Sequence, residues 1–350
     1  GANPEVELAL QKAAGAAEKA ERRLDNVQTL RSAKPDVLAE AVITRPWLRP
    51  VLQAAGLVAF FSFSYVCRGL PVALKNAGAF MQAGAIVWYG LKRDALNTSG
   101  AAAALGCGWG TMLADFRMGA TLILFFLASS RLTLMKEVRK MQIDSEQKGG
   151  QGQRDWKQVL SNGGIPTGVA LLALLARGFG EHSLAMSAHA PYTLLAGAFI
   201  GYYSCCCADT WASELGVLSQ GLPRLITTGK KVRKGTNGGV SGVGLLASLG
   251  GGIFVGVVWL LCSAACGNPQ PVVLPLCAAF GLLGSLIDSL LGATLQYSGY
   301  SWDLQKVVQW PGENVSPITG RPILSNNQVN LASATTTSLL CAAACAFIFP

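Results

Sequence analysis

A stretch without a single charged residue, running from Gly235 to Ile287, limits most strongly what this chain can fold into. Soluble domains carry about 25% charged residues, whereas this chain has 13%, beside 51% hydrophobic residues. Its 41 glycines follow no collagen-like period. The sequence therefore excludes an ordinary soluble enzyme. It predicts an all-α fold, a polytopic bundle of membrane helices.

Apolar runs separated by short polar connectors begin near residue 51. We count nine candidate segments, at 51–67, 75–91, 99–114, 118–130, 164–178, 190–208, 238–262, 271–294 and 331–349. Several are shorter than the roughly 20 residues that a crossing needs, and the pair 99–114 and 118–130 reads either as two thin spans or as one span with a re-entrant piece. We therefore predict seven to nine crossings in a membrane domain of residues 51–350.

Residues 1–50 have a different composition, with eight Lys or Arg and seven Asp or Glu. Within them, residues 4–31 repeat apolar side chains at spacings of three and four, which predicts an amphipathic helix. Its narrow apolar stripe suits a partner helix or the protein's own body. The seven acids argue against a transit peptide, which is poor in acidic residues. We expect a charged N-terminal extension that is able to bind a protein partner.

The distribution of basic residues predicts the orientation of the bundle. With nine crossings, the connectors near 92–98, 131–163, 209–237 and 295–330 share one side and hold sixteen Lys or Arg. The opposite side holds Arg68, Lys75, Arg117 and Arg177. By the positive-inside rule the four connectors face the cytosol or its equivalent in an organelle. Every polar cluster of interest is then expected on one face.

Two acidic residues lie at membrane segments of that face. Asp209 follows an apolar run and is followed by Glu214, and Asp288 lies in an otherwise uncharged stretch. Acids in such places are costly unless they are paired, hydrated or bound to a metal ion. Asp209, Glu214 and Asp288 together would offer hard oxygen ligands for Mg²⁺. A hydrogen bond between packed helices is the alternative for Asp209 and for Asp288.

A basic, glycine-containing connector lies on the same side of the predicted membrane. Its basic residues are Arg224, Lys230, Lys231, Arg233 and Lys234, and Thr236, Asn237, Gly238 and Gly239 then lead directly into a helix. Backbone N–H groups at a helix start and nearby cations favour phosphate. The Walker A spacing is absent. Positive-inside charge or anionic lipid binding is the alternative for the lysines.

Three amides precede the last apolar segment, at Asn326, Asn327 and Asn330. They could hydrogen-bond a base, a ribose or a phosphate, and helix capping is the alternative for Asn330. Acids, a basic loop and amides on one face together predict a nucleotide phosphate held with Mg²⁺. Nucleic acid is a poor ligand here, because the basic residues are few and lack interleaved aromatic residues. A site in a membrane favours a substrate with a lipid tail.

The same residues resemble the transmembrane protein 19 family, which includes the more distant chloroplast phytyl-phosphate kinases. The resemblance rests on the runs 208–216, 223–228 and 235–240, with further matches at 129–133, 144–146, 284–297 and 322–330. Together these cover about residues 90–335, and the N-terminal helix lies outside them. One departure is Ser325, which stands where relatives often have Asp.

The resemblance implies an integral membrane prenyl-phosphate kinase, which transfers a phosphoryl group from CTP or another nucleoside triphosphate in the presence of Mg²⁺. A plastid membrane is favoured over the endoplasmic reticulum. Two alternatives stay open: a non-catalytic subunit of a larger membrane complex, and a channel or transporter, for which no internal repeat is evident. If the chain is a subunit, the N-terminal helix would provide the contact.

Overall fold

Long helices make up most of the structure. The computed structural model describes residues 71–143, 153–180, 182–216 and 219–350, and of residues 134–143 only the backbone. Its eight helices in these ranges are α1 (Val72–Lys92), α2 (Thr98–Ala114), α3 (Phe116–Ile143), α4 (Trp156–Arg177), α5 (Met186–Gly216), α6 (Gly242–Ala265), α7 (Val273–Leu295) and α8 (Asn326–Ile348). The predicted helical class is confirmed. The predicted segment 51–67, the extension 1–50 with its helix 4–31, and their boundary lie outside the described residues.

Four of these helices, α4, α6, α7 and α8, are long and apolar enough to cross a membrane. The apolar segments 99–114 and 118–130 correspond to two separate helices, because Asp115 adopts an extended backbone between α2 and α3. Helix α3 continues to Ile143 and α4 starts at Trp156, so the predicted connector 131–163 is largely helical. The count of seven to nine crossings stays a prediction.

Helix α5 lies at the centre and contacts α3, α4, α6, α7 and α8. Every residue from Ala196 to Ala208 is buried. Small residues let the neighbours approach closely: a Cβ added to Gly251 of α6 would lie 2.8 Å from the Cα atom of Ala208. A Cβ added to Gly284 of α7 would lie 2.6 Å from the Cβ atom of Cys205. These contacts hold the C-terminal part of α5 directly against α7.

A buried polar cluster closes the end of the bundle where α2 ends and α5 begins. Arg117 Nη2 lies 3.0 Å from Asp115 Oδ2, and both side chains are buried. Tyr192 Oη donates to Asp115 Oδ2 at 2.5 Å, and Arg117 Nη2 also donates to the carbonyl of His182 at 3.0 Å. A buried ion pair requires such additional hydrogen bonds to offset its desolvation. The cluster fixes the packing at this end.

Two small antiparallel sheets occur in the connectors at the other end, and the sequence did not predict them. Strands β1 (Arg224–Leu225) and β2 (Gly239–Val240) pair between α5 and α6. Strands β3 (Ser298–Ser301), β4 (Lys306–Val308) and β5 (Val315–Thr319) form a sheet of order β4-β3-β5 between α7 and α8. The chain runs along α6 and returns along α7 between the two connectors, and the N–H of Asn237 donates to Ser298 Oγ at 3.0 Å, so both connectors cover the same end of the bundle.

Candidate functional site

A cavity of about 490 Å³ lies between the helices and reaches the end covered by the two connectors. Part of its wall is mainly apolar and comes from α1, α2 and α3, for example Val87, Cys107 and Phe126. The polar and charged side chains of the wall come mainly from α4 to α8 and from the connectors. One space thus joins an apolar compartment to a charged one. Such a lining suits a ligand that has an apolar chain and a polar head.

Asp209 and Asp288 meet in the polar part of this cavity. Asp209 lies two turns before the end of α5, and Asp288 two turns before the end of α7. Their side chains are within hydrogen-bonding reach of each other, and Ser333 Oγ donates to Asp288 Oδ2 at 2.8 Å. Two carboxylates at this separation repel each other unless a proton or a cation lies between them.

A second, small cavity of about 10 Å³ lies directly beside the pair, and Asn162 and Asn330 line it together with Asp209 and Asp288. This is roughly the space that one water molecule or one ion occupies. Carboxylate and amide oxygens are the hard ligands that Mg²⁺ prefers. The donor set therefore fits a magnesium ion, with the two aspartates as its carboxylate ligands.

Glu214, the third predicted acid, lines the large cavity but not the small one. It is buried, and its Oε1 accepts a hydrogen bond from Thr133 Oγ1 at 3.1 Å. In the ranges that the structure describes, no three His, Cys, Asp or Glu side chains form a group suited to a metal ion. The predicted three-carboxylate arrangement is therefore not assembled here, because Glu214 lies apart from the aspartate pair, with Thr133.

Among the five basic residues of the connector, Lys234 lines the cavity. Its Nζ also donates to the backbone carbonyl of Ser219, which holds it at the mouth of the connector. The neighbouring Arg233 is directed elsewhere: its guanidinium carbon lies 3.9 Å from the ring centroid of Tyr300 in β3. Stacking of this kind ties the two connectors together.

The other three basic residues of the connector do not line the cavity in the described structure. Arg224 Nη1 donates to the carbonyl of Gly229 at 2.8 Å and so stabilises the turn after β1. Lys230 and Lys231 are exposed. Their predicted contact with phosphate stays a prediction, and their position also fits the alternative of anionic lipid binding.

Asn237 and Gly238 line the cavity and fasten the connector to the helix end. Asn237 Nδ2 donates to the carbonyl of Tyr297 at 3.1 Å. Gly238 has φ +71°, and a Cβ there would lie 2.4 Å from the Cβ of Ala293 in α7. Glycine is required at this position for both its backbone angle and its close approach. The junction thus has a packing role that the sequence did not indicate.

Gly239 also lines the cavity, but its N–H donates to the carbonyl of Thr236 at 3.1 Å. Of the two N–H groups predicted to bind phosphate, at Gly238 and Gly239, that of Gly239 is therefore already engaged inside the loop. Thr236 is buried behind the loop and is absent from the cavity wall in the described structure. A tight turn satisfies its own donors, which the sequence alone did not reveal.

The three predicted amides occupy the first turns of α8. Asn326 and Asn330 line the large cavity, and Asn330 also lines the small one, whereas Asn327 lines neither. Ser325 precedes the helix, and both its N–H and its Oγ donate to Gln328 Oε1, at 2.8 and 2.9 Å. Capping thus uses Ser325 and leaves Asn330 directed to the aspartate pair.

Sequence reasoning missed Arg154 and Asn162, which both line the large cavity. The side chain of Arg154 is half-buried against Ser130 and Phe126 of α3. The signal was the spacing of Arg154, Gln158 and Asn162 at intervals of four. This spacing places Gln158 and Asn162 on one face of α4, and both line the cavity together with Arg154, which precedes the helix.

Comparison with known proteins places the chain in a family. Over 271 residues it is 46% identical to "Protein PGR" of Arabidopsis thaliana, which covers 75% of this chain and 94% of that protein. It is 37% identical over 150 residues to "Uncharacterized membrane protein MJ0933" of Methanocaldococcus jannaschii, covering 42% of this chain and 53% of that protein. No solved structure matches the chain. Residues 81–338 match the family described as integral membrane protein DUF92, and the chain belongs to that family.

Proposed function

We propose that this integral membrane protein is a Mg²⁺-dependent phosphotransferase that converts a prenyl monophosphate into the diphosphate with CTP or another nucleoside triphosphate. One observation carries the proposal: a single cavity joins the apolar wall of α1–α3 to the Asp209–Asp288 pair. An apolar chain between helices and a phosphate head beside paired carboxylates would fill both parts. The resemblance to the transmembrane protein 19 family, carried by the runs 208–216, 223–228 and 235–240, supports the same reaction class through the more distant phytyl-phosphate kinases of that family.

The polar residues divide into recognisable roles. Asp209 and Asp288 would hold Mg²⁺, with Asn162 and Asn330 beside them. When bound, the ion supplies neutralisation of the charge on the nucleotide phosphates. Lys234 would add a positive charge from the basic connector. Phosphoryl transfer depends mainly on positioning and charge neutralisation, so no side-chain nucleophile is needed.

In the proposed reaction an oxygen of the acceptor monophosphate attacks the γ-phosphorus of the nucleotide. A new P–O bond forms as the bond from the γ-phosphorus to the β,γ-bridging oxygen breaks, and the nucleoside diphosphate leaves with that electron pair. The acceptor oxygen is already ionised near neutral pH, so no general base has to remove a proton. Exclusion of water by the apolar wall would favour transfer to the lipid phosphate over hydrolysis.

The direct test uses purified full-length protein in nanodiscs. Phytyl or geranylgeranyl monophosphate, Mg²⁺ and each labelled nucleoside triphosphate are supplied, and the labelled prenyl diphosphate is measured. We expect product with the wild type and with Asp303→Asn, which alters an exposed aspartate in the β3–β4 turn. Asp209→Ala should reduce turnover at least about 100-fold, because it removes a ligand of the Mg²⁺ that would neutralise the bound phosphates. Absence of product and of nucleotide binding would refute the transferase.

A plastid membrane is the proposed location, in preference to the endoplasmic reticulum. The phytyl-phosphate kinase resemblance favours it, and one relative is a plant protein. Fractionation of plant cells that express a C-terminally tagged chain tests this directly. Recovery with plastid envelope or thylakoid markers is expected, and recovery with reticulum markers would overturn it.

A structural subunit of a membrane complex is the second candidate, and the β3–β5 sheet favours it. Trp302 and Trp310 are 55% and 57% exposed on this extramembrane connector, and exposed aromatic residues are enriched at protein interfaces. The predicted partner helix at 4–31 would add a second contact. In this case Asp209→Ala leaves growth or complex assembly unaffected, whereas deletion of residues 1–45 releases the chain from a complex of larger size.

A further inference from the structure

We infer that Arg154 binds the phosphate head of the lipid acceptor, and that it does so at the boundary between the apolar and the charged parts of the cavity. The inference rests on the proposed function for the identity of the acceptor. The site itself rests on geometry alone. Neither the acidic pair nor the basic connector includes this residue, and it is a second phosphate-binding point separate from Asp209 and Asp288.

Backbone hydrogen bonds fix the position of Arg154 independently of its side chain. Its N–H donates to the carbonyl of Ala95 at 3.1 Å, and its carbonyl accepts from the N–H of Asn97 at 3.2 Å. A Cβ added to Gly100 would lie only 2.1 Å from the carbonyl oxygen of Arg154. The chain is therefore clamped against the start of α2. Asp155 next to it caps α4 by accepting from the N–H of Gln158 at 2.9 Å.

The side chain extends from this fixed point into the cavity wall. Arg154 Nη1 donates to Ser130 Oγ at 2.7 Å, and its guanidinium carbon lies 5.4 Å from the ring centroid of Phe126. Phe126 belongs to the apolar wall, and Glu214 to the polar wall. Burial lowers the pKa of Arg154, and the charge of Glu214 raises it again. A guanidinium stays protonated under these conditions.

This position suits an acceptor head better than a nucleotide. A guanidinium carries five N–H donors in a planar fork that matches phosphate oxygens, and Ser130 Oγ accepts from one of them. An amphiphile with its chain among Val87 and Phe126 would bring its head group to Arg154 first. Lys234 comes from the connector between α5 and α6 and the aspartate pair from α5 and α7, so a nucleotide bound at these groups would contact another part of the cavity wall.

The test compares the binding of geranylgeranyl monophosphate with that of geranylgeraniol, the same chain without phosphate, to full-length protein in nanodiscs. Binding of each radiolabelled ligand to immobilised nanodiscs reports both ligands without any turnover. We expect Arg154→Gln to weaken binding of the monophosphate about 10- to 100-fold, as for loss of hydrogen bonds to a charged group. Binding of the alcohol and of a nucleoside triphosphate should stay within about twofold. Lys157→Gln, an exposed basic residue three positions later, is the matched control.

Arg154→Lys keeps the charge and loses the planar fork, so we expect an intermediate loss for the monophosphate. It decides the question if the glutamine variant does not fold. Equal losses for the phosphate and the alcohol would show a structural role and overturn the inference. Loss of nucleotide affinity instead would place Arg154 with the donor and also overturn it. Wild-type protein that binds the monophosphate but makes no diphosphate would refute the proposed reaction while leaving the Arg154 site intact.

Discussion

Replacement of Asp288 by asparagine should stabilise the protein in the absence of Mg²⁺ and abolish its stabilisation by Mg²⁺. The two aspartates lie within hydrogen-bonding reach, and Ser333 donates to Asp288. Asp288→Asn keeps an oxygen that accepts this hydrogen bond. It also adds an amide that can donate to Asp209. The substitution therefore removes a like charge and leaves the packing and the polar contacts nearly unchanged.

The magnitude follows from the separation of the charges. Two like charges about 4 Å apart repel with about 4 kcal/mol at an effective dielectric constant of about 20. A proton shared by the pair reduces this repulsion, so we expect about 1–4 kcal/mol of stabilisation on substitution. For a helical body of this size, the midpoint of thermal unfolding should rise by about 2–8 °C. In the wild type, Mg²⁺ at about 100 times its dissociation constant should add about 2.7 kcal/mol.

Thermal unfolding in nanodiscs, followed by intrinsic fluorescence in EDTA and then across a Mg²⁺ titration, measures both effects. The wild type and Asp303→Asn should share a low midpoint in EDTA and a clear rise with Mg²⁺, because Asp303 is exposed and lies outside the cavity. Asp288→Asn should start higher and then stay constant. A lower midpoint for Asp288→Asn in EDTA, or an undiminished response to Mg²⁺, would refute the argument that the pair is a cation site.

Three further changes test other parts of the structure. Gly238→Ala should lower the unfolding free energy by about 2–4 kcal/mol, because φ is +71° and the new Cβ would collide with Ala293. Chemical denaturation measures this loss, and an effect below about 0.5 kcal/mol would contradict the prediction. Arg117→Leu should cost about 3–5 kcal/mol because Asp115 is left buried without its cation, and a neutral result would show that the cluster is hydrated. Burial and, to a smaller extent, nearby cations lower the pKa of His182. The folded protein therefore binds a proton there more weakly than the unfolded chain, and folding stability is lost as pH falls below about 6.5. His182→Gln should lose less unfolding free energy than the wild type between pH 7.5 and 5.5, and equal losses would refute this.

Two features of the site depend on packing between helices, which sequence patterns do not determine. The acids Asp209, Glu214 and Asp288 were grouped because they share a membrane face, but the structure brings together Asp209 and Asp288 and places Glu214 with Thr133. Spacing along a single helix fixes the direction of a side chain, whereas distances between helices depend on how closely they pack. In the same way, the sequence predicts that Gly238 belongs to a phosphate-binding loop, and the structure adds a packing contact of Gly238 with Ala293.

The amino-acid sequence is sufficient to predict the class of the fold. The uncharged run from Gly235 to Ile287 requires a lipid environment and internal backbone hydrogen bonds, and helices satisfy both locally. The sequence also predicted that the polar residues share one face, because successive apolar segments cross the bundle in opposite directions. The large cavity and the residues that meet in it depend on the tertiary packing of the helices. Arg154, Asn162 and Asn330 come to this space from distant points of the chain, and only close packing of α5 against α7 through Gly284 sets the separation of the two aspartates.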